Sequence, residues 1–141
     1  MPKPIKALDA RGPVEVSYVQ TAAAGTAPPA VVFCNPSTSG EYYEITDVSA
    51  NFEVAGTSAT VDVKIVPAAT AIASGTSALS STIDCSAGAR TIKQATLTST
   101  AGNRVVPPGS SVAVITGGTL TSLTGLGVMV TLRPLRGVHR R

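Results

Sequence analysis

The sequence predicts an all-β protein: an antiparallel β-sandwich, jelly-roll-like, with about eight or nine strands. Three observations lead there. Short segments rich in Val, Ile, Tyr and Thr recur between Gly, Pro, Asn and Ser turn signals roughly every 8–12 residues. No apolar pattern of helical period persists beyond a turn or two. Charge is scarce, at 13% of residues against about 25% in an average soluble domain, so Ser, Thr, Ala and Gly must cover much of the outside.

The 141 residues divide into a flexible basic N-terminal arm (1–13), one sandwich domain (14–134) and a basic C-terminal tail (135–141). A chain of this size buries roughly two-thirds of its unfolded surface, enough for a core without metals or disulfides. The arm holds Pro2, Pro4, Gly12 and Pro13 with Lys3, Lys6 and Arg11, a composition that resists both helix and sheet. Ordering it costs about 1–2 kcal/mol per residue in backbone entropy. With only Ile5 and Leu8 as anchors, it is expected to stay disordered until a partner holds it.

Residues 14–20 alternate Val14, Val16 and Tyr18 against Glu15, Ser17 and Gln20, a half-buried strand with Val19 out of pattern. After a small-residue linker, residues 31–34 form a short apolar strand stopped by Asn35-Pro36. Residues 42–54 form the longest strand. Its inward set is Tyr43 and Ile45, then Val48, Ala50, Phe52 and Val54, and the phase slip near Thr46 and Asp47 predicts a β-bulge. Residues 55–58 read as a hairpin turn into 59–66, where Val61, Val63 and Ile65 face inward and Pro67 ends the strand. Residues 78–85 place Leu79, Ile83 and Cys85 on one side, and residues 91–97 form a weak strand.

The last apolar run organises the chain. Pro107-Pro108-Gly109 sets a tight turn, since Pro presets φ and Gly supplies a conformation other residues resist. Segments 111–116 (SVAVIT) and 126–132 (LGVMVTL) follow and read as paired central strands. The first is apolar on both faces, so it sits between layers or against another subunit. Ile115 and Met129 are the candidate subunit-interface residues.

The formal net charge is +3, unevenly spread. Lys3, Lys6, Arg11, Arg133, Arg136, Arg140 and Arg141 lie at the two ends with Asp9 as the only acid among them, around a faintly acidic body. Such ends meet something outside the domain. Cys34 and Cys85 are the only cysteines and are expected as buried reduced thiols, with a disulfide the alternative that spacing does not decide. The N-terminus lacks a signal-peptide apolar region, and no stretch of about 18 apolar residues crosses a membrane. The expectation is cytoplasmic synthesis with no export step and no membrane partner.

Catalytic chemistry finds little footing. The single histidine, His139, is third from the end, a poor place to hold a base against a nucleophile. Glu15, Glu41, Glu44, Glu53, Asp47, Asp62 and Asp84 have the flanks of exposed strands and loops. The two Cys and one His make no zinc pattern, and Gly117-Gly118 lacks the rest of a phosphate-binding fingerprint. The chain therefore reads as a non-enzyme with no cofactor and no small-molecule substrate. The tail RPLRGVHRR offers about four phosphate contacts but no stacking aromatics, so an acidic protein is the favoured partner over nucleic acid. Tyr42-Tyr43 is the one adjacent aromatic pair available to a glycan.

The runs TDVSANFEVAGTSATVDVKIVPA and RVVPPGSSVAVITGGTLTSLTGLGVMVTLRP resemble small β-sandwich virion proteins of tailed bacteriophages, of the capsid decoration (cement) type. The resemblance spans about residues 42–134. It implies a structural protein on the outer capsid surface, acting as a homotrimer that clamps the major capsid protein. In that role Pro2, Lys3, Pro4, Ile5, Lys6 and Leu8 are the candidate capsid contacts. The alternative is a glycan- or receptor-binding module of a phage head fibre or tail.

Overall fold

The computed structural model describes residues 12–135. Ten strands form among them: β1 (Val14–Val19), β2 (Ala30–Cys34), β3 (Tyr43–Asn51), β4 (Thr60–Val66), β5 (Thr76–Ser77), β6 (Ile83–Asp84), β7 (Lys93–Gln94), β8 (Val105–Val106), β9 (Ser111–Gly117) and β10 (Gly127–Pro134). Short 3-10 turns occupy Ile72–Ser74 and Ala101–Arg104.

One sheet runs β1-β10-β3, with β7 and β8 sharing the far edge of β3. The other runs β2-β9-β4, with β5 and β6 sharing the far edge of β4. Each pair of short strands fills one column, so the ten segments make two four-column antiparallel sheets. The pairing is nested: first strand with last, second with second-last, and so on inward. This is jelly-roll topology, in the expected class.

Alternation builds the core. Val128, Val130 and Leu132 of β10 and Ile45 and Val48 of β3 project from one sheet, meeting Val61 and Val63 of β4 and Val112 and Val114 of β9 from the other; all are essentially solvent-free. The predicted phase slip is a real bulge. Thr131 pairs with Asp47 but Leu132 with Ile45, leaving Thr46 as the extra residue, and so Ile45 and Val48 both stay inward despite their odd spacing. A second register shift near Val32 in β2 left no signal, because five residues are too few for a phase change to show.

Two expected pairings do not form. β9 and β10 lie in opposite sheets, as do β3 and β4. Nine residues separate β9 from β10 and eight separate β3 from β4, more than the two to five of a hairpin loop, and both connections cross from sheet to sheet. The two crossings support each other: Val54 bridges Thr124, and Gly118, at φ +74°, lies where a Cβ would sit 2.0 Å from the Ser58 carbonyl oxygen. Val54, expected inward, is 42% exposed, since β3 has already ended. Cys85 is buried as expected, but Cys34 is exposed at the end of β2.

The Pro-Pro-Gly turn forms as read. The Ser110 amide donates to the Pro107 carbonyl at 3.1 Å, and Gly109 at φ +88° supplies the left-handed position a type II turn requires. Asn35, only 2% exposed, ties this turn to the β2–β3 loop. Its Nδ2 donates to the carbonyls of Glu41 (2.8 Å) and Val106 (3.0 Å), and its Oδ1 accepts from the Ser39 hydroxyl at 2.7 Å. Its main chain closes the ring, donating to Ser110 O and accepting from Gly109 N.

Candidate interaction surface

Alternation that sends Val14, Val16 and Tyr18 inward turns Glu15, Ser17 and Val19 of β1 outward; on β10 it turns out Met129, Thr131 and Arg133. The register lines these up with β3 in cross-strand rows, Ser17–Met129–Ser49 and Val19–Gly127–Asn51. Ile92, just before β7, closes the far side. Val19 is 63% exposed, Ile92 71% and Met129 40%. Between them lies an open depression of about 300 Å³ lined by these three with Ser17, Ser49, Asn51 and Gly127. Gly127 shapes it by omission: a Cβ there would meet only the Tyr18 carbonyl oxygen, at 3.9 Å. Beneath, buried Tyr18 donates its hydroxyl to Pro28 O at 3.1 Å, and burial raises its pKa. The lining carries no charged side chain, so the face suits a neutral partner surface.

The outer face of the second sheet is different. Ala113 (0%) and Val66 (5%) are buried there yet stand outside the core cluster, because the segment between β4 and β5 folds back over them. Lys64 donates to the Ala73 carbonyl at 2.7 Å, and Gly75 packs so closely that a Cβ would sit 3.0 Å from Val66 Cγ2. Much of the second apolar face of β9 is thus covered within the chain. Beyond that cover, Ile115 is half-buried and Val31 is 45% exposed.

At the end of the sandwich where β1 begins and β10 ends, Glu44 is held by two arginines, Arg133 at 2.8 Å and Arg104 at 3.3 Å. Arg104 also donates to the Thr98 carbonyl. Four further acids have local partners: Glu53 pairs with Arg90 at 2.9 Å, Asp62 accepts from Ser77, Asp47 from Gln94, and the Ser86 hydroxyl and amide lower the Asp84 pKa. Among the described residues no group of three His, Cys, Asp or Glu side chains gathers as a metal set. Tyr43 packs edge-on against Phe33, ring centroids 5.1 Å apart, and Tyr42 and Tyr43 are both half-buried.

No family model matches the sequence, and no curated protein matches it. Among solved structures, a chain described as "Bacillus endospore appendages form a novel family of disulfide-linked pili" aligns at 18% identity and a TM-score of 0.38, covering 89% of this chain and 92% of that one.

Of the residues singled out from sequence, Met129 stands on the exposed apolar face and Ile115 on the opposite sheet, so the two do not share one contact. Pro2, Lys3, Pro4, Ile5, Lys6 and Leu8 lie outside the described residues. Val19 and Ile92 were missed as surface residues. Val19 carried a signal, since it breaks the alternation directly after inward Tyr18; Ile92 sits in a segment too irregular to give one.

Proposed function

We propose that this protein is a non-enzymatic structural component of a tailed-bacteriophage virion, decorating and cementing the outer capsid surface in contact with the major capsid protein and with sister copies. The observation that carries the reading is the pair of opposed outer faces on one jelly roll. Val19, Ile92 and Met129 are exposed on one sheet, and Val31 with half-buried Ile115 on the other. A two-fold contact uses the same patch twice, whereas a closed ring joins two different patches head to tail. Met129 and Ile115, facing opposite ways, fit the ring, and a homotrimer is the ring the resemblance implies. The uncharged lining of the Met129 depression suits a neutral sister surface, and residues 2–8 are assigned to the capsid.

The test is to mix the purified protein with heads that lack it and sediment them. Co-sedimentation that weakens when residues 1–13 are removed supports the reading; failure of the full chain to sediment with heads removes it. The solution mass of the free protein is expected at three chains.

A further inference from the structure

The edge of a β-sheet carries unpaired main-chain groups, and a folded chain has to keep each edge from pairing at random. Three of the four sheet edges are guarded. β5, β6, β7 and β8 are two residues each, too short to template a strand. β2 follows Pro28-Pro29 and changes register near Val32. β1 has none of these devices: its six residues pair with β10 without a shift, include no Pro or Lys, and hold Glu15 as their only charge.

The ladder decides which groups β1 presents. The Gln20 amide donates to the Leu126 carbonyl at 2.8 Å, in register with the rest of the β1–β10 pair. Antiparallel ladders alternate, so Val14, Val16 and Tyr18 spend their N–H and C=O on β10, while Glu15, Ser17 and Val19 turn theirs away from it. Among the described residues no other segment takes those groups up. The side chains carry the same mark. Val14 and Val16 face the core yet are only half-buried, whereas Leu132 and Val130, opposite them on β10, are solvent-free. β10 has a strand on both sides and β1 on one.

We propose that a second copy of this chain adds its own β1 to this edge, antiparallel about a two-fold axis at Ser17. The outward groups belong to alternate residues, so only registers that match Glu15, Ser17 and Val19 among themselves close a ladder, and centring on Ser17 engages all of them. Ser17 then meets Ser17, and Glu15 meets Val19 on either side. No like charges face each other, because Glu15 lies opposite a valine and not opposite the second copy's Glu15. On the inner face, half-buried Val16 comes beside the second copy's Tyr18, a β-branched–aromatic pair repeated by the symmetry, as a self-complementary patch requires. The contact goes beyond the assembly reading: a head-to-tail ring uses the outer faces of the sheets and leaves the β1 edges to join one ring to the next.

The test oxidises Ser17→Cys, Glu15→Cys and Val19→Cys, each in a Cys34→Ser background, with glutathione disulfide and reads covalent dimer on non-reducing gels. The axis sets the two Ser17 Cα atoms about 5.5 Å apart, within the span of a disulfide, and offsets the two Glu15 positions along the strands by about 13 Å. Ser17→Cys should cross-link at least about tenfold faster than Glu15→Cys alone, and Glu15→Cys mixed with Val19→Cys should approach it. A head-to-tail ring joins unlike residues, so it does not supply the Ser17–Ser17 link. Ser17→Pro removes only an outward N–H, which an edge strand tolerates, and should abolish the rise in solution mass with concentration expected of the parent. Ser17→Cys cross-linking no faster than Glu15→Cys, or a Ser17→Pro chain that associates like the parent, would overturn the pair. Should Ser17→Cys fail in that way while Ser17→Pro loses co-sedimentation with heads, the edge belongs to a strand of the capsid protein instead. Cross-linking at Ser17 without head co-sedimentation would sustain the pair while removing the virion reading.

Discussion

Replacing Asn35 tests whether one buried amide holds the end of the sandwich where the termini leave. Asn35→Ala deletes both donors and the acceptor at once. The carbonyls of Val106 and Glu41 and the Ser39 hydroxyl lose a partner, and Val106 is fully buried. A stranded buried polar group costs about 1–3 kcal/mol. With Ser39 free to turn and keep its contact to the Glu41 amide (3.1 Å), the buried Val106 carbonyl left without Asn35 gives a loss of about 1–3 kcal/mol. At about 1–3 kcal/mol per molar urea, the unfolding midpoint should fall by roughly 1 M. Asn35→Asp separates hydrogen bonding from packing, because it keeps the shape but sets a carboxylate against two carbonyl oxygens. Burial and those oxygens raise its folded-state pKa above the unfolded value of about 3.9. The electrostatic penalty is then absent below the unfolded pKa and grows as pH rises toward the folded one, so the deficit against the parent should be smaller at pH 4 than at pH 7. Urea melts of both variants at the two pH values are the assay. A midpoint for Asn35→Ala within the equivalent of about 0.5 kcal/mol of the parent, or a pH-independent deficit for Asn35→Asp, would refute the reasoning.

Neighbours on β10 should separate core from surface: Leu132→Ala is expected to cost about 2–5 kcal/mol in urea melts, whereas Met129→Ser should cost under about 0.5 kcal/mol while reducing the solution mass. Gly118→Ala should destabilise by at least about 1–2 kcal/mol, from the left-handed φ alone, with the overlap on Ser58 added; a melt matching the parent would count against the close crossing. In thiol titration of the native protein, one cysteine per chain, Cys34, should react promptly. Cys85, whose burial pushes its pKa up to about 11, should react only as the protein unfolds, and two fast thiols would contradict its burial.

The sequence by itself determined which residues point inward. Val61, Val63 and Ile65, then Val128, Val130 and Leu132, alternate with a period of two, and burial of apolar side chains obeys that period wherever one face of a sheet is covered. The bulge at Thr46 was legible for the same reason, since a phase slip in nine residues leaves a mark. So were the Pro-Pro-Gly turn, whose residues demand a particular φ, and the basic character of the ends. Which sheet each strand joins was decided only by tertiary structure. Alternation is blind to partner choice: β9 and β10 show the same pattern whether they pair in a hairpin or face each other across the core, and only nested pairing closes both sheets at once. The outer faces were hidden likewise. Nothing local in β9 reveals that residues between β4 and β5 fold over Ala113, or that Val19, Ile92 and Met129 from three distant segments share one depression. Nor does any local feature place residue 12 beside residue 135, because that neighbourhood exists only once the first strand has paired with the last.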